Sequence, residues 1–418
     1  AVLREELVAI DAEFSTPRLC EITASWDGLD DEDLMEREEM VVTVTHGGYI
    51  KRTALATFRA QNRGGKGRAG MATKEEDAVT ELFVTSTHTP VLFFSNIGKV
   101  YRLKVWKLPE GGPSTRGRPM VNLLPLGEGE VISNVLTLPE DEAEWGGLSV
   151  VFATAKGYAR RNSMDAFANV PSNGKIAMKF EGEDADDRLI GVALLTPDDD
   201  VLLASKCGKA IRFAADDIRE FQSRNSTGVR AMKLAQNKDG TRDEVISLSI
   251  LHRVGTTPEE REDYLRFAPW KPEREGEPTL SADRIAELAA AEQFILTVCA
   301  NGYGKLSSAY GYRRTGRGGQ GITNIDNIER NGPVVASFPA TKGDQLMLVT
   351  DQAKLIRMPL DSLRVLGRGT AGVRLFNVGD NEHVVGAAKI DESDEEGDGE
   401  STSGDTLTAD AGNNSAQV

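Results

Sequence analysis

Six segments of this chain align without gaps: VVTVTHGGYIKR (41–52), VLFFSNIGKVYR (91–102), VVFATAKGYARR (150–161), VLLASKCGKAIR (201–212), ILTVCANGYGKL (295–306) and LMLVTDQAKLIR (346–357). Each opens with four or five apolar or β-branched residues, passes through a turn and ends in a short second strand. Glycine holds the eighth position in five copies, where it supplies the positive φ of a tight hairpin. The sixth copy has Ala353, so its turn is expected to differ or to carry strain. The eighth positions are separated by 50, 59, 51, 94 and 51 residues. Such a period marks a supersecondary unit repeated in space. About 50 residues hold four short strands with their turns, which is one propeller blade. Six blades closing on themselves leave no exposed sheet edge, so an all-β, six-bladed ring is expected. A linear solenoid is the alternative, disfavoured because no capping repeat is visible.

A second phrase follows the hairpin in five units: Gly117 to Leu123, Gly174 to Lys179, Thr227 to Leu234, Gly321 to Ile325 and Gly372 to Leu375. The long 94-residue interval contains an insertion at about 252–292. Thr257-Pro258-Glu259-Glu260 opens one helix there and Ser281 a second. This reads as a surface excursion dispensable for the fold. Residues 1–40 read as the end of a preceding helix, with Leu3, Leu7, Ile10 and Phe14 at helical spacing, then an acidic linker with a second short helix near Asp31 to Glu39. The chain is expected to be a piece of a longer protein. Residues 41–390 make the ring, and 391–418 hold nine acids and no base, a composition that stays disordered.

The formal charge of −16 argues against a polyanion partner until its distribution is considered. Residues 1–40 carry a net −10, the insertion −4 and the tail −9, which leaves the repeats at about +7. Bases recur where the second strand ends: Lys51 and Arg52, Arg102, Arg160 and Arg161, Arg212, Lys305, and Arg357. In a closed ring they are expected to form a belt for a phosphate backbone. Arg116, Arg118, Arg224, Arg313, Arg314, Arg317 and Arg368 sit among Gly, Ser and Thr, in loops that offer charge and backbone N–H groups. The repeat tyrosines, Tyr49, Tyr101, Tyr158 and Tyr303, read as packing residues. No base-reading helix, stacking platform, paired carboxylates or metal spacing is apparent, so duplex is expected to be held with little sequence preference. Three unspaced cysteines and four scattered histidines argue for a reducing cytoplasm and against structural zinc. No apolar run is long enough to span a bilayer.

One loop occurs once only: Gln61-Asn62-Arg63-Gly64-Gly65-Lys66-Gly67. Its glycines let a phosphate approach the backbone while Arg63 and Lys66 neutralise it. Lys66 is not followed by Ser or Thr, so it is not a nucleotide-binding P-loop.

This stretch resembles the Gly-rich box of the DNA gyrase A family, and the surrounding repeats resemble that family's C-terminal DNA-wrapping domain. The resemblance covers about residues 1–390, including the Thr45-His46-Gly47-Gly48-Tyr49 turn and the Gly117 to Leu126 phrase. Asn62 stands where the family usually has a second base. The resemblance implies a six-bladed β-pinwheel whose blades exchange strands; to it the residues themselves add the short N-terminal helix and the small helical insertion 252–292, which departs from the family's commonest form. It implies double-stranded DNA bent around the outer rim, so that a holoenzyme of two A and two B subunits introduces negative supercoils by ATP-driven strand passage. ATP and Mg²⁺ would act elsewhere in that complex, with no cofactor and no catalytic residue here. The piece itself is expected to be monomeric, bacterial, cytoplasmic and nucleoid-associated. Two other readings are the corresponding domain of topoisomerase IV, against which the intact box and sixth repeat argue, and a propeller that binds proteins or ligands in its channel.

Overall fold

The computed structural model describes residues 2–15, 31–45, 47–57 and 79–390, except 113, 114, 225, 237–239, 272, 273, 275, 327, 328, 353, 354 and 380. The chain divides into two compact parts, Ala1–Glu36 and Arg37–Val418. The first contains helix α1 (Val2–Phe14) and a single 3-10 turn at Asp31–Leu34. The expected second helix is therefore shorter than its acidic run, because strand begins at Glu39.

The second part is built of six small antiparallel sheets, formed from six repeat units. Their strands, in chain order, are β1 (Glu39–Thr45), β2 (Tyr49–Ala54) and β3 (Val79–Ser86); then β4 (Pro90–Ser95), β5 (Lys99–Lys104), β6 (Arg118–Pro119) and β7 (Ile132–Thr137). The third unit has β8 (Ser149–Thr154), β9 (Tyr158–Ser163), β10 (Lys175–Ile176) and β11 (Leu189–Leu195). The fourth has β12 (Asp199–Ser205), β13 (Lys209–Ala214), β14 (Val229–Arg230) and β15 (Val245–His252). The fifth has β16 (Phe294–Cys299), β17 (Tyr303–Ser308), β18 (Ile322–Thr323) and β19 (Val334–Ala340). The sixth has β20 (Gln345–Thr350), β21 (Leu355–Pro359), β22 (Val373–Arg374) and β23 (Val384–Ile390).

Sheet order exposes the rule of assembly. The sheets run β3-β1-β2-β6, β7-β4-β5-β10, β11-β8-β9-β14, β15-β12-β13-β18 and β19-β16-β17-β22, with β23-β20-β21 as the sixth. The outermost strand of each four-stranded blade is thus supplied by the next unit in the chain. The innermost strands β7, β11, β15, β19 and β23 lie in sequence beside one another, and β23 meets β3, so the ring returns to its first blade. The result is a six-bladed β-pinwheel.

Glycine is needed at the turn for two reasons. Gly98 has φ +80°, and a Cβ there would lie 2.2 Å from the carbonyl oxygen of Met178. Its own carbonyl accepts from the N–H groups of Ala177 and Met178 at 2.8 and 2.9 Å. Turn and donated segment are therefore one contact, repeated at Gly48, Gly157, Gly208 and Gly302. The sixth turn, with Ala353, lies outside the described residues.

Blades bury both faces against their neighbours, which explains the near-continuous apolar runs at the start of each repeat. Between the second and third blades, Phe94, Phe152 and Phe167 meet with ring centroids 5.6–6.1 Å apart, beside the buried Trp145. The inserted segment carries α2 (Pro258–Phe267), opened by a capping box between Thr257 and Glu260, and α3 (Ala282–Ala290). It does not stand clear of the ring as a surface excursion would. Tyr264 and Leu288 pack on Tyr310 of the fifth unit, and the Tyr310 hydroxyl donates to the Leu288 carbonyl at 2.9 Å.

Candidate nucleic-acid interface

The bases expected to form a belt fall into two groups, set by strand geometry. Consecutive residues on a strand face opposite ways, and here both directions lead into structure. At the eleventh repeat position, Lys51, Arg160 and Lys305 are fully buried. Lys51 Nζ donates to the Gly112 carbonyl at 2.9 Å. Arg160 donates to the carbonyls of Arg224 (2.7 Å) and Ser226 (2.6 Å), and Lys305 to those of Gly367, Arg368 and Thr370. All these acceptors lie in the loop that precedes a donated strand. Burial, and after it the Arg224 guanidinium, pulls Arg160 down to about 10. Burial, and after it Arg368, pulls Lys305 down to about 7.

At the twelfth position the bases are held by acids and carbonyls. Arg52 bonds the Leu108 carbonyl and Glu110, Arg102 bonds Glu142, and Arg161 bonds Asp216. Arg212 lies 2.9 Å from Asp200 and also donates to the Ala309 carbonyl at 3.0 Å. The side chain of Arg357 is outside the described residues. The recurrent base thus cements each unit to the next, and the expected belt is not a row of free cations. Loop arginines are partly used in the same way. Arg368 donates to the carbonyls of Gly311 and Thr323, and Arg317, though exposed, to those of Asp217 and Arg230.

What faces outward is the donated strand itself. Arg118 on β6, Arg230 on β14 and Arg374 on β22 are exposed, whereas Lys175 on β10 is half-buried and its Nζ donates to the carbonyls of Ala166 and Asn169, each at 2.8 Å. Among the described residues, none of those three guanidiniums has a carboxylate partner. Two of them are steadied by repeat tyrosines. Arg230 Nη2 donates to the Tyr158 hydroxyl at 2.8 Å, and Arg374 Nη2 to the Tyr303 hydroxyl at 2.7 Å. Arg116 lies 3.8 Å over the Tyr49 ring in the first blade. These three tyrosines orient cations and are not simply packing residues. Tyr101 is the buried exception, donating to Glu130 at 3.0 Å. On the fourth blade, whose donated strand has no base, Lys209 is exposed across from Thr323.

The sequence reasoning missed Arg230 and Arg374. They lay within the second recurring phrase, but only strand exchange places that phrase at the rim. The Gly-rich box, Gln61 to Gly67, lies outside the described residues, in the span between β2 and β3. The central cavity, about 930 Å³, is lined mainly by aliphatic residues of the inner strands, with Ser133, Asn134, Ser247 and Ser337 among them. Thr45, Tyr49, Glu130 and Phe338 also line it.

Ring, donated strands and an arginine-bearing outer edge define a β-pinwheel of the DNA-topoisomerase kind. Two solved structures share the fold: a C-terminal domain of DNA topoisomerase IV (TM-score 0.65, 17% identity, 86% of this chain and 96% of that one) and a DNA gyrase A C-terminal domain (0.57, 21%, 84% and 100%). The family model for the DNA gyrase C-terminal domain, beta-propeller, matches six times, at residues 39–86, 89–139, 149–195, 199–251, 293–341 and 344–391. The chain belongs to that family. It is 50% identical over 405 residues to the DNA gyrase A protein of Rickettsia prowazekii and 49% identical over 417 residues to that of Granulibacter bethesdensis. Each alignment covers 94% of this chain but 44% of the relative, so the chain spans less than half the length of these relatives.

Proposed function

We propose that this chain binds duplex DNA along its outer edge and bends it around the ring, as the wrapping module of a gyrase. The observation that carries the reading is the row of exposed bases on exchanged outer strands, Arg118, Arg230 and Arg374, with the exposed Lys209 of β13 between the last two. Guanidiniums spaced along a curved edge match phosphates and not base edges, so recognition is electrostatic and nearly sequence-blind. The Gly-rich box, Gln61 to Gly67, adds a further backbone clamp in the first unit.

In this reading the partners are double-stranded DNA, the remainder of a gyrase A protein, and the gyrase B protein that supplies ATP hydrolysis. The chain contributes no cofactor site and no catalytic group. Its part is to fix the hand of the DNA crossing, so that strand passage introduces negative supercoils. The gyrase A relatives, at about half identity, support this over the topoisomerase IV alternative. The decisive experiment is to relax closed circular DNA in the presence of the chain and measure the linking number. A shift of one consistent sign is expected. No shift, with binding intact, would reject wrapping.

A further inference from the structure

The loop running from Arg364 to Gly372 belongs to the sixth unit but lies over the fifth blade, where the Leu366 N–H donates to the Leu306 carbonyl at 2.8 Å. Beneath it Lys305 is fully buried on β17. Its ammonium donates to the carbonyls of Gly367 (3.0 Å), Thr370 (3.0 Å) and Arg368. Three N–H donors meeting three carbonyls saturate the group without a carboxylate. In a trans peptide the C=O and the N–H of the next residue point to opposite sides. Drawing these carbonyls inward therefore turns the N–H groups of Arg368, Gly369 and Ala371 outward. Gly367 and Gly369 are exposed, and a Cβ on Gly369 would meet nothing within 4 Å. An oxyanion can reach this backbone unobstructed. Outward N–H groups over a buried cation form an anion nest.

We propose that Lys305 is a positioning residue for DNA: without touching the duplex, it turns residues 367–371 into a nest for one backbone phosphate. The inference rests on the DNA-binding reading above. Fully buried Arg160 on the third blade also holds two loop carbonyls, those of Arg224 and Ser226, but residue 225 between them is outside the described residues. On the first blade Lys51 holds the Gly112 carbonyl, but a proline follows in the sequence and supplies no N–H. The second, fourth and sixth blades carry Tyr101, Ile211 and Ile356 at this position, with no cation to draw carbonyls inward.

Charge adds a signature. Burial and then Arg368 hold Lys305 down to about 7, while Cys299 and Asp326 pull the other way. A phosphate seated above it favours the protonated form, so binding takes up protons. Affinity then falls as pH rises through and above about 7.

The test uses the full chain and a labelled duplex, titrated with salt at pH values below and above 7, for wild type, Lys305→Met and Lys305→Arg. Below pH 7, Lys305→Met is expected to bind about tenfold more weakly, with a salt slope lower by about one. Lys305→Arg should keep the slope and lose the pH dependence, because arginine stays charged. If Lys305→Met fails to fold, calorimetry of wild-type binding in buffers of different ionisation enthalpy still reads proton uptake. Unchanged slope in a folded Lys305→Met, or binding without proton uptake, overturns the proposal alone. A wild type that does not bind duplex overturns the DNA-binding reading as well.

Discussion

Arg160 and Arg230 come together on the third blade and do opposite jobs. Arg160 is sealed in, and its guanidinium satisfies carbonyls of the loop above it. Arg230 stands at the edge, leaning on Tyr158. Arg230→Ala is expected to lower the salt slope of DNA binding by about 0.9 while changing stability by less than about 0.5 kcal/mol. Arg160→Met should show the reverse emphasis, with about 2–4 kcal/mol lost in denaturant unfolding as buried carbonyls lose their donor. Equal effects of both on unfolding would contradict the division into cement and rim. Lys305 supplies a pH signature of stability with its sign fixed. In the unfolded chain it is an ordinary lysine, and in the ring burial holds it near 7. Between these values the unfolded state binds more protons, so this residue's contribution rises with pH from about 7 to about 10 and is least favourable below 7. Melting curves of wild type against Lys305→Met across that range should diverge accordingly.

The exchanged strand is the element on which rim and fold both depend. Gly228 opens β14 with φ +98°, and a Cβ there would lie 2.3 Å from the Ala159 carbonyl oxygen. Gly228→Ala is expected to strain the backbone by about 1–3 kcal/mol and to push β14 off β9. Amide exchange at Val229 and Arg230 reads that directly, and unchanged protection would show the junction to be slack. The inserted helices were expected to be dispensable, yet they cover Tyr310 and bury Tyr264 and Leu288. Replacing residues 253–291 with a short Gly/Ser linker should therefore lower stability by several kcal/mol, given about 1.5–3 kcal/mol per large buried side chain. A linker variant that melts like wild type would return the segment to the status of a surface excursion.

For the whole ring, binding and bending are separable. A sharp bend in stiff duplex costs several kcal/mol, about 1–6 by elastic estimates, and both ends of the path must be held. The box occurs once, in the first unit, and β3 of that unit meets β23 of the last. Replacing Gln61 to Gly67 with alanines is expected to leave appreciable affinity, because many other bases remain, but to straighten the bound DNA. Fluorescence transfer between the duplex ends measures this. Equal bending with and without the box would discard the clamp.

Periodicity alone was enough for the blades: glycine at the eighth position, apolar runs before it and a spacing near 50 residues leave few ways to bury so many short strands. The helix starts at Thr257 and Ser281 were legible for the same reason, since capping is local chemistry. What the sequence could not show is which bases face water. Lys51, Arg160 and Lys305 look like rim residues because they follow a turn and carry charge, but the loop that buries them comes from the next unit, about 60 residues away. Arg230 and Arg374 look ordinary in two-residue strands, and become the outer edge only when those strands cross to the preceding blade. Charge and spacing are properties of the chain. Exposure is a property of strand exchange, which is a long-range pairing, and only the tertiary structure decided it.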